Sequence, residues 1–196
     1  MLDYLVGLDT EVDELVEGGS CYTPTVTMDQ VVLPEETKQM ILDSVRHYDA
    51  FCAIREKVGL DDVVSYGKGL VLLFWGPSGT GKTMTANALA AAMGKRVLLV
   101  DVPSLSNKQD LDPRTLKFIF REARIQDALV FLDECEGMFE SRDTQGSPVA
   151  SLLPEIEKFE GILVLATNRP YDLDEAMYRR ISLAVEFQPP VSAAAL

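Results

Sequence analysis

Five short apolar runs alternate with helical or loop segments from residue 70 onwards, and the pattern predicts that each run is a buried strand. Continuous apolar strands separated by helices are typical of a parallel sheet that is covered on both faces. We therefore predict an α/β fold, a three-layer α/β/α sandwich with a mainly parallel five-stranded sheet. The predicted strands are residues 70–75, 97–101, 128–133, 162–167 and 183–187.

One long helix is predicted before the first strand. Pro34 stands at the first position of this helix, acidic residues follow in its first turn, and apolar residues recur at helical spacing. Those apolar residues are Met40, Ile41, Val45 and Tyr48. A second helix is predicted over residues 84–93.

The chain divides into an extension and a core. Residues 1–33 are predicted to be an acidic extension that ends in a turn-rich linker, GGSCYTPTVT, and residues 34–190 a single core. Within the core, Pro154 falls where a helix is otherwise expected. A helix capped by Ser151 would place this proline in the first turn, where its missing N–H is tolerated.

Composition narrows the possible partners. The 196 residues are 47% hydrophobic, and 31 acidic against 18 basic residues give a formal charge of −13. Such a charge repels phosphate backbones and anionic lipid, so nucleic acid is an unlikely partner. No apolar run approaches the roughly 20 residues that span a bilayer, and the start of the chain lacks the basic residues of a secretion signal.

The metal-binding and redox-active residue types are few. Three widely spaced cysteines (Cys21, Cys52 and Cys135) lack the spacing of a zinc site or a disulfide framework, which predicts a reducing, cytoplasmic location. His47 is the single histidine, and this excludes a histidine-rich metal site.

A phosphate-binding loop follows the first predicted strand and opens the helix at residue 84. Glycines let the backbone wrap around phosphates, so that successive N–H groups and the positive helix end face the anion. Lys82 would reach the β- and γ-phosphates and Thr83 would bind Mg²⁺, with Met84 next to them. The residues Gly76, Pro77, Ser78, Gly79, Thr80, Gly81, Lys82 and Thr83 fit the pattern G-x-x-x-x-G-K-[ST].

Two acidic residues end the third predicted strand. Asp133 and Glu134 are expected at the carboxyl edge of the sheet, where folds of this type bind ligands. Asp133 would hold the magnesium ion, and Glu134 would orient and polarise the water that attacks the γ-phosphorus. The next two residues, Cys135 and Glu136, are expected to be structural.

Four segments together resemble the AAA+ ATPases, which have the P-loop NTPase fold, and the resemblance covers residues 29–190. The segments are GPSGTGKT, LVFLDE, ILVLATNRP and LDEAMYRRI, in this order. The resemblance implies binding and Mg²⁺-dependent hydrolysis of ATP in a homo-oligomer, a ring in the full-length protein, coupled to remodelling of a protein partner.

The resemblance also implies roles for individual residues. Asn168 corresponds to the polar sensor that meets the γ-phosphate through the attacking water, although TNRP alone is simply a turn. Arg179 and Arg180 correspond to the arginine finger of the neighbouring subunit's site, with a solvated pair as the alternative. Val31 and Val32 lie in the segment expected to hold adenine.

Two departures from the family pattern limit these implications. Protein-threading members carry an aromatic pore loop, whereas residues 105–111 contain no aromatic residue, which disfavours threading by aromatic grip. The helical lid that follows the core in the family is expected to be absent, since residues 191–196 end the sequence.

Other functions of a phosphate loop remain alternatives. A small-molecule kinase would need a lid that binds the acceptor, rather than the sensor and finger residues. A GTPase would need Asn-Lys-x-Asp, and TNRP lacks the lysine and the acid. A non-catalytic ATP-binding assembly module would keep the loop but often lacks a catalytic acid, whereas Glu134 is present.

Overall fold

The computed structural model describes residues 19–60, 63–64, 67–106, 112–139 and 148–189. Its centre is a six-stranded sheet. The strands are β1 (Gly19–Tyr22), β2 (Leu70–Trp75), β3 (Arg96–Asp101), β4 (Ala128–Asp133), β5 (Ile162–Thr167) and β6 (Leu183–Glu186). Their order across the sheet is β1-β3-β4-β5-β2-β6.

Helices surround this sheet. They are α1 (Glu35–Lys57), α2 (Lys82–Ala92), α3 (Val102–Ser106), α4 (Pro113–Ile125), α5 (Glu136–Phe139), α6 (Pro148–Lys158) and α7 (Glu175–Tyr178). Short 3-10 turns cover Met28–Gln30 and Pro170–Asp172. Within the described ranges, none of the helices combines the length and apolar character that a membrane crossing requires.

The predicted α/β fold is confirmed, and all five predicted strands form and pair in parallel. The prediction of five strands is wrong, because the sheet has a sixth strand, β1, in the segment expected to be a linker. β1 pairs antiparallel with the edge of β3. The four residues of β1 contain no long apolar run. They form a strand because they pair with β3.

Two layers of hydrophobic core lie on opposite faces of the sheet. Along β2, Val71 and Leu73 belong to one cluster, whereas Leu70, Leu72 and Phe74 belong to the other. The first cluster includes buried residues of α4 and α6, and the second includes buried residues of α1 and α2. Side chains that alternate between two buried faces explain why the strands are apolar throughout.

Helix α4 begins at a well-defined cap. The carboxylate of Asp112 accepts a hydrogen bond of 2.7 Å from the N–H of Thr115, and Pro113 occupies the first helical position. This contact with a backbone N–H holds the pKa of the Asp112 carboxyl below its usual value. Leu116 and Ile119 then face the core.

Helix α6 differs from its predicted start. It begins at Pro148, so Ser151 is not its cap and Pro154 lies inside the helix rather than in its first turn. Proline in a helix removes one backbone hydrogen bond, a cost that tertiary packing can offset. The packing here comes from Leu152 and Ile156, which are 1% and 3% exposed.

The register of the sheet brings the carboxyl ends of the parallel strands to one edge. Trp75 lies opposite Thr167 at the ends of β2 and β5, and Asp101 lies opposite Asp133 at the ends of β3 and β4. The loops that leave this edge therefore lie close together. Open α/β sheets bind their ligands at this carboxyl edge.

Candidate active site

The loop that leaves β2 begins at a glycine that no other residue can replace without displacement. Gly76 has a φ of 138°, and a Cβ built there would lie 2.1 Å from the carbonyl oxygen of Phe187. The N–H of Gly76 donates to the carbonyl of Thr167 at 3.2 Å, and the N–H of Phe187 donates to the carbonyl of Trp75 at 2.7 Å. The loop therefore starts between β5 and β6, held by both.

Helix α2 starts at the end of this loop. Gly81 caps the helix in a left-handed conformation, with a φ of 96°. The hydroxyl of Thr85 donates to the carbonyl of Gly81 at 2.9 Å. The hydroxyl of Thr80 donates to the carbonyl of Pro77 at 2.8 Å. The loop is thus folded back over the helix N-terminus, where backbone N–H groups and the helix dipole favour an anion.

Lys82 is buried at the centre of the loop, with 8% of its surface exposed. Its ammonium donates to the carbonyls of Gly76 and Pro77, at 2.7 and 2.9 Å, and to Oδ1 of Asn168 at 2.9 Å. Burial lowers the pKa of Lys82, and the nearby carboxylates, Asp133 foremost, oppose that change. A positive charge held among carbonyl oxygens is suited to a multiply charged anion.

Asp133 and Glu134 occupy different surroundings although they are adjacent. Asp133 is partly buried, and burial raises the pKa of its carboxyl, as do the charges of Asp101 and Glu136. The N–H of Glu134, which donates to Asp133 at 3.0 Å, and the charge of Lys82 lower it. Glu134 itself is exposed and has a φ of 52°, so the chain turns sharply at this residue.

The structure brings most of the predicted site residues to one cleft of about 320 Å³. The remaining members of the loop, Gly76, Pro77 and Thr80, support it through the hydrogen bonds described above. The lining residues are Ser78, Gly79, Gly81, Lys82, Thr83, Met84, Asp133, Glu134 and Asn168.

The donor set of this cleft fits a phosphate group with Mg²⁺. Mg²⁺ is usually held by one or two protein oxygens together with substrate phosphates and water. The hydroxyl of Thr83 and the carboxylate of Asp133 are such oxygens, and both line the cleft. Burial raises the pKa of Asp133, and a cation bound there would stabilise its ionised form.

The two candidate finger residues lie outside the residues that line this cleft, and they differ from each other. Arg179 is 73% exposed, and its guanidinium bonds Glu175 on the same helix at 2.6 Å. Arg180 is only 26% exposed and forms an ion pair with Glu157 of α6. Arg180 also donates to the carbonyl of Ala176. Arg179 is therefore open to solvent, whereas Arg180 is anchored within its own domain.

Other predicted features lie away from this cleft or outside the described residues. Val31 is buried and Val32 is 84% exposed, and neither lines the cleft, so adenine contact stays a prediction. Residues 107–111 of the region compared with the pore loop, and residues 191–196, lie outside the described residues.

Sequence analysis missed two acidic residues near the site. Asp101 ends β3 opposite Asp133, and the rule that strand ends share an edge could have identified it. Glu136, which was expected to be structural, accepts a hydrogen bond from the backbone N–H of Asn168. No sequence pattern indicated this contact. Cys135 is fully buried, and all three cysteines are free thiols.

The sequence is similar to those of known proteins. Residues 72–189 match the model of the family described as "ATPase family associated with various cellular activities (AAA)". Protein SAV of Sulfolobus acidocaldarius is 31% identical over 195 residues, which cover 91% of this chain and 24% of that protein. Spastin of Drosophila mojavensis is 31% identical over 194 residues, again 91% of this chain and 24% of the relative.

A solved structure has the same fold. The crystal structure of the FIGL-1 AAA domain in complex with ADP matches with a TM-score of 0.66 and 23% identity, over 94% of this chain and 63% of that chain. The chain spans about a quarter of the length of the curated relatives it matches.

Proposed function

Because this chain belongs to the AAA family of ATPases, we propose that it binds Mg-ATP in the cleft at the start of α2 and hydrolyses it to ADP and phosphate. One observation carries the proposal: Lys82, Asp133, Glu134 and Asn168, from three separate parts of the sequence, line a single cleft. The complex of the FIGL-1 AAA domain with ADP supports a nucleotide as the ligand.

Binding rests on the phosphate loop. The backbone N–H groups of residues 78–83 and the N-terminus of α2 would hold the β- and γ-phosphates, with the ammonium of Lys82 between them. Lys82 would exchange its contact with Asn168 for phosphate oxygens while its loop carbonyls keep it in place. Thr83 and Asp133 would hold Mg²⁺, which neutralises phosphate charge when bound.

Hydrolysis needs a positioned water. The exposed carboxylate of Glu134 would accept a hydrogen bond from this water, orient it in line with the bond to the leaving ADP oxygen, and take up its proton. The side chain of Asn168, across the cleft, would hold the water or a γ-phosphate oxygen on the other side. Water attack on the γ-phosphorus breaks the bond to ADP and releases phosphate.

The oligomer would complete the site. Arg179 is the better arginine finger, because its exposed guanidinium could enter a neighbour's cleft and stabilise charge on the transferred phosphoryl group. Arg180 would support α7 through Glu157. In this proposal the assembly is a homo-oligomer, a ring in the full-length protein, that remodels a protein partner in the cytoplasm.

The direct test is ATP binding by calorimetry and phosphate release, each with Mg²⁺ and with a chelator, over a range of protein concentrations. We expect Mg²⁺-dependent turnover whose specific rate rises as the protein associates, since the finger acts between subunits. Phosphate release that is absent at every concentration, despite tight ATP binding, would favour a binding module instead.

A further inference from the structure

We propose that Glu136 is a positioning residue of this ATPase site: its carboxylate fixes the peptide group from which the Asn168 side chain enters the cleft. The inference deepens the proposed function and rests on it for the catalytic consequence. The hydrogen bond between Glu136 and Asn168, which lie 32 residues apart in the sequence, does not depend on the proposed function.

The turn after β4 delivers Glu136 to the end of β5. Glu134 adopts a left-handed conformation, with a φ of 52°, and the chain then enters the core at Cys135. The N–H of Cys135 donates to the carbonyl of Ala166 at 3.0 Å. This bond aligns the turn with the last residues of β5, so that Glu136, the first residue of α5, lies beside Asn168.

The peptide group between Thr167 and Asn168 is held at both of its ends. Its carbonyl accepts a hydrogen bond of 3.2 Å from the N–H of Gly76, the first residue of the phosphate loop. Its N–H donates to the carboxylate of Glu136. Asn168 lies one residue beyond the pairing of β5 with β2, which ends at Thr167. Glu136 thus supplies the acceptor that the sheet no longer provides.

Fixing this peptide group sets the place of the Asn168 side chain. Oδ1 of Asn168 accepts a hydrogen bond of 2.9 Å from Lys82 and lines the cleft with Glu134. Without the Glu136 contact, the backbone N–H of Asn168 would turn towards water. The side-chain amide of Asn168 would then lose its fixed direction. A group that acts only in the transition state must be held in advance, because a small displacement removes much of its effect.

Glu136 also carries a charge, and the test must separate the effect of this charge from that of the hydrogen bond to Asn168. Its charge contributes to the electrostatics of Lys82 and Asp133, as their pKa changes indicate. Glu136→Gln keeps an oxygen acceptor but removes the charge, whereas Glu136→Ala removes both. Glu56→Ala, which deletes an exposed carboxylate of α1, is the matched control.

In steady-state ATPase assays, Glu136→Ala should lower kcat about 10- to 100-fold with a KM for ATP within about threefold of wild type. Glu136→Gln should restore kcat to within about threefold of wild type, because the acceptor is kept. If Glu136 had a merely structural role, Glu136→Ala would lower the melting temperature and the ATP affinity together. Glu136→Gln would then restore neither of these two quantities selectively.

A second measurement does not depend on turnover. In an amide NMR spectrum of the 196-residue chain, the Asn168 backbone resonance should move upfield in Glu136→Ala, move less in Glu136→Gln, and stay in place in Glu56→Ala. An unmoved Asn168 resonance in Glu136→Ala overturns the proposal, as does a wild-type kcat in an active enzyme. If wild type binds ATP without turnover, the proposed function fails and the Asn168 resonance still decides the positioning role.

Discussion

The ammonium of Lys82 donates a hydrogen bond of 2.9 Å to the side-chain oxygen of Asn168, across 86 residues of sequence. Two loop carbonyls, those of Gly76 and Pro77, accept its other two N–H groups. The three N–H groups of the ammonium are therefore all donated to acceptors within the protein. A phosphate that binds Lys82 must share or replace an acceptor, and Asn168 is the acceptor that lies outside the loop.

Lys82→Ala should reduce Mg-ATP affinity below detection, because it removes the positive side chain that lies within the phosphate loop. Lys158→Ala, which removes an ammonium on the exposed side of α6, should leave affinity unchanged. Isothermal titration calorimetry on both variants makes the comparison. Undiminished affinity in Lys82→Ala would refute the assignment of the loop as the phosphate site.

Gly76→Ala should destabilise the fold by more than about 2 kcal/mol, because its Cβ would collide with backbone rather than with a movable side chain. Gly94→Ala is the matched control. Gly94 also has a positive φ, 67°, but nothing lies within 4 Å of the added Cβ, so about 1 kcal/mol is expected. Urea unfolding gives both values, and equal losses would contradict the predicted collision with Phe187.

Asp133→Asn should stabilise the nucleotide-free protein at neutral pH. A carboxyl whose pKa is higher in the folded chain than in the unfolded chain begins to oppose folding as the pH rises above its unfolded pKa, and does so in full above its folded pKa. The advantage of Asn should therefore decrease as the pH falls through that folded pKa, and vanish below the unfolded value of 3.8. Urea unfolding between pH 3 and 8 is the measurement, with Asp43→Asn as the surface control.

Asp133→Asn should also be stabilised less by Mg-ATP than wild type. Ligand at 100 times its Kd stabilises a protein by about 2.7 kcal/mol, and wild type should show a gain of this order. Asp133→Asn should gain clearly less at the same concentrations, because a ligand of the magnesium ion is weakened. A variant that is less stable than wild type without nucleotide, yet responds fully to Mg-ATP, would contradict both expectations.

Arg179→Ala and Arg180→Ala should affect different properties, the first turnover and the second the stability of the fold. Arg179→Ala should keep stability within about 0.5 kcal/mol, since its ion pair with Glu175 is exposed, yet lower turnover by roughly three orders of magnitude. Arg180→Ala should cost about 1–2 kcal/mol of stability, because Glu157 loses its partner. Unfolding curves and turnover in the assembled oligomer, its size set by sedimentation, separate the two.

Mixing experiments test whether the finger acts between subunits. Arg179→Ala and Glu134→Gln should each be inactive alone, and a mixture should recover partial activity, since some interfaces combine an intact finger with an intact Glu134. Normal turnover of Arg179→Ala in an assembled oligomer would exclude it as the finger.

The sequence could predict those parts of the fold that local pattern determines. The apolar runs of β2 to β6 and the spacing of residues 76–83 each suffice for one element, and parallel strand ends then place Asp133 near the loop. β1 could not be predicted, because four residues without strong periodicity become a strand only beside β3. The position of Pro154 inside α6 could not be predicted for a similar reason: the burial of Leu152 and Ile156 outweighs the local preference of proline for a helix start.

Within the site, the sequence could predict residue types but not their directions. Nothing local distinguishes Arg179 from Arg180, and only the position of Glu157 on another helix gives Arg180 an ion pair that anchors it within its own domain. The contact between Glu136 and Asn168 likewise depends on how the turn after β4 meets the end of β5.

In the proposed mechanism Glu134 activates the attacking water, and Glu134→Gln removes this function. The variant keeps the size and position of the side chain but removes the base, so Mg-ATP affinity by calorimetry should stay near that of wild type. Phosphate release, measured on the same samples with Glu56→Gln as the control, should fall by about two to four orders of magnitude. Phosphate release at the wild-type rate in Glu134→Gln would show that Glu134 is not the base and would require another group to activate the water.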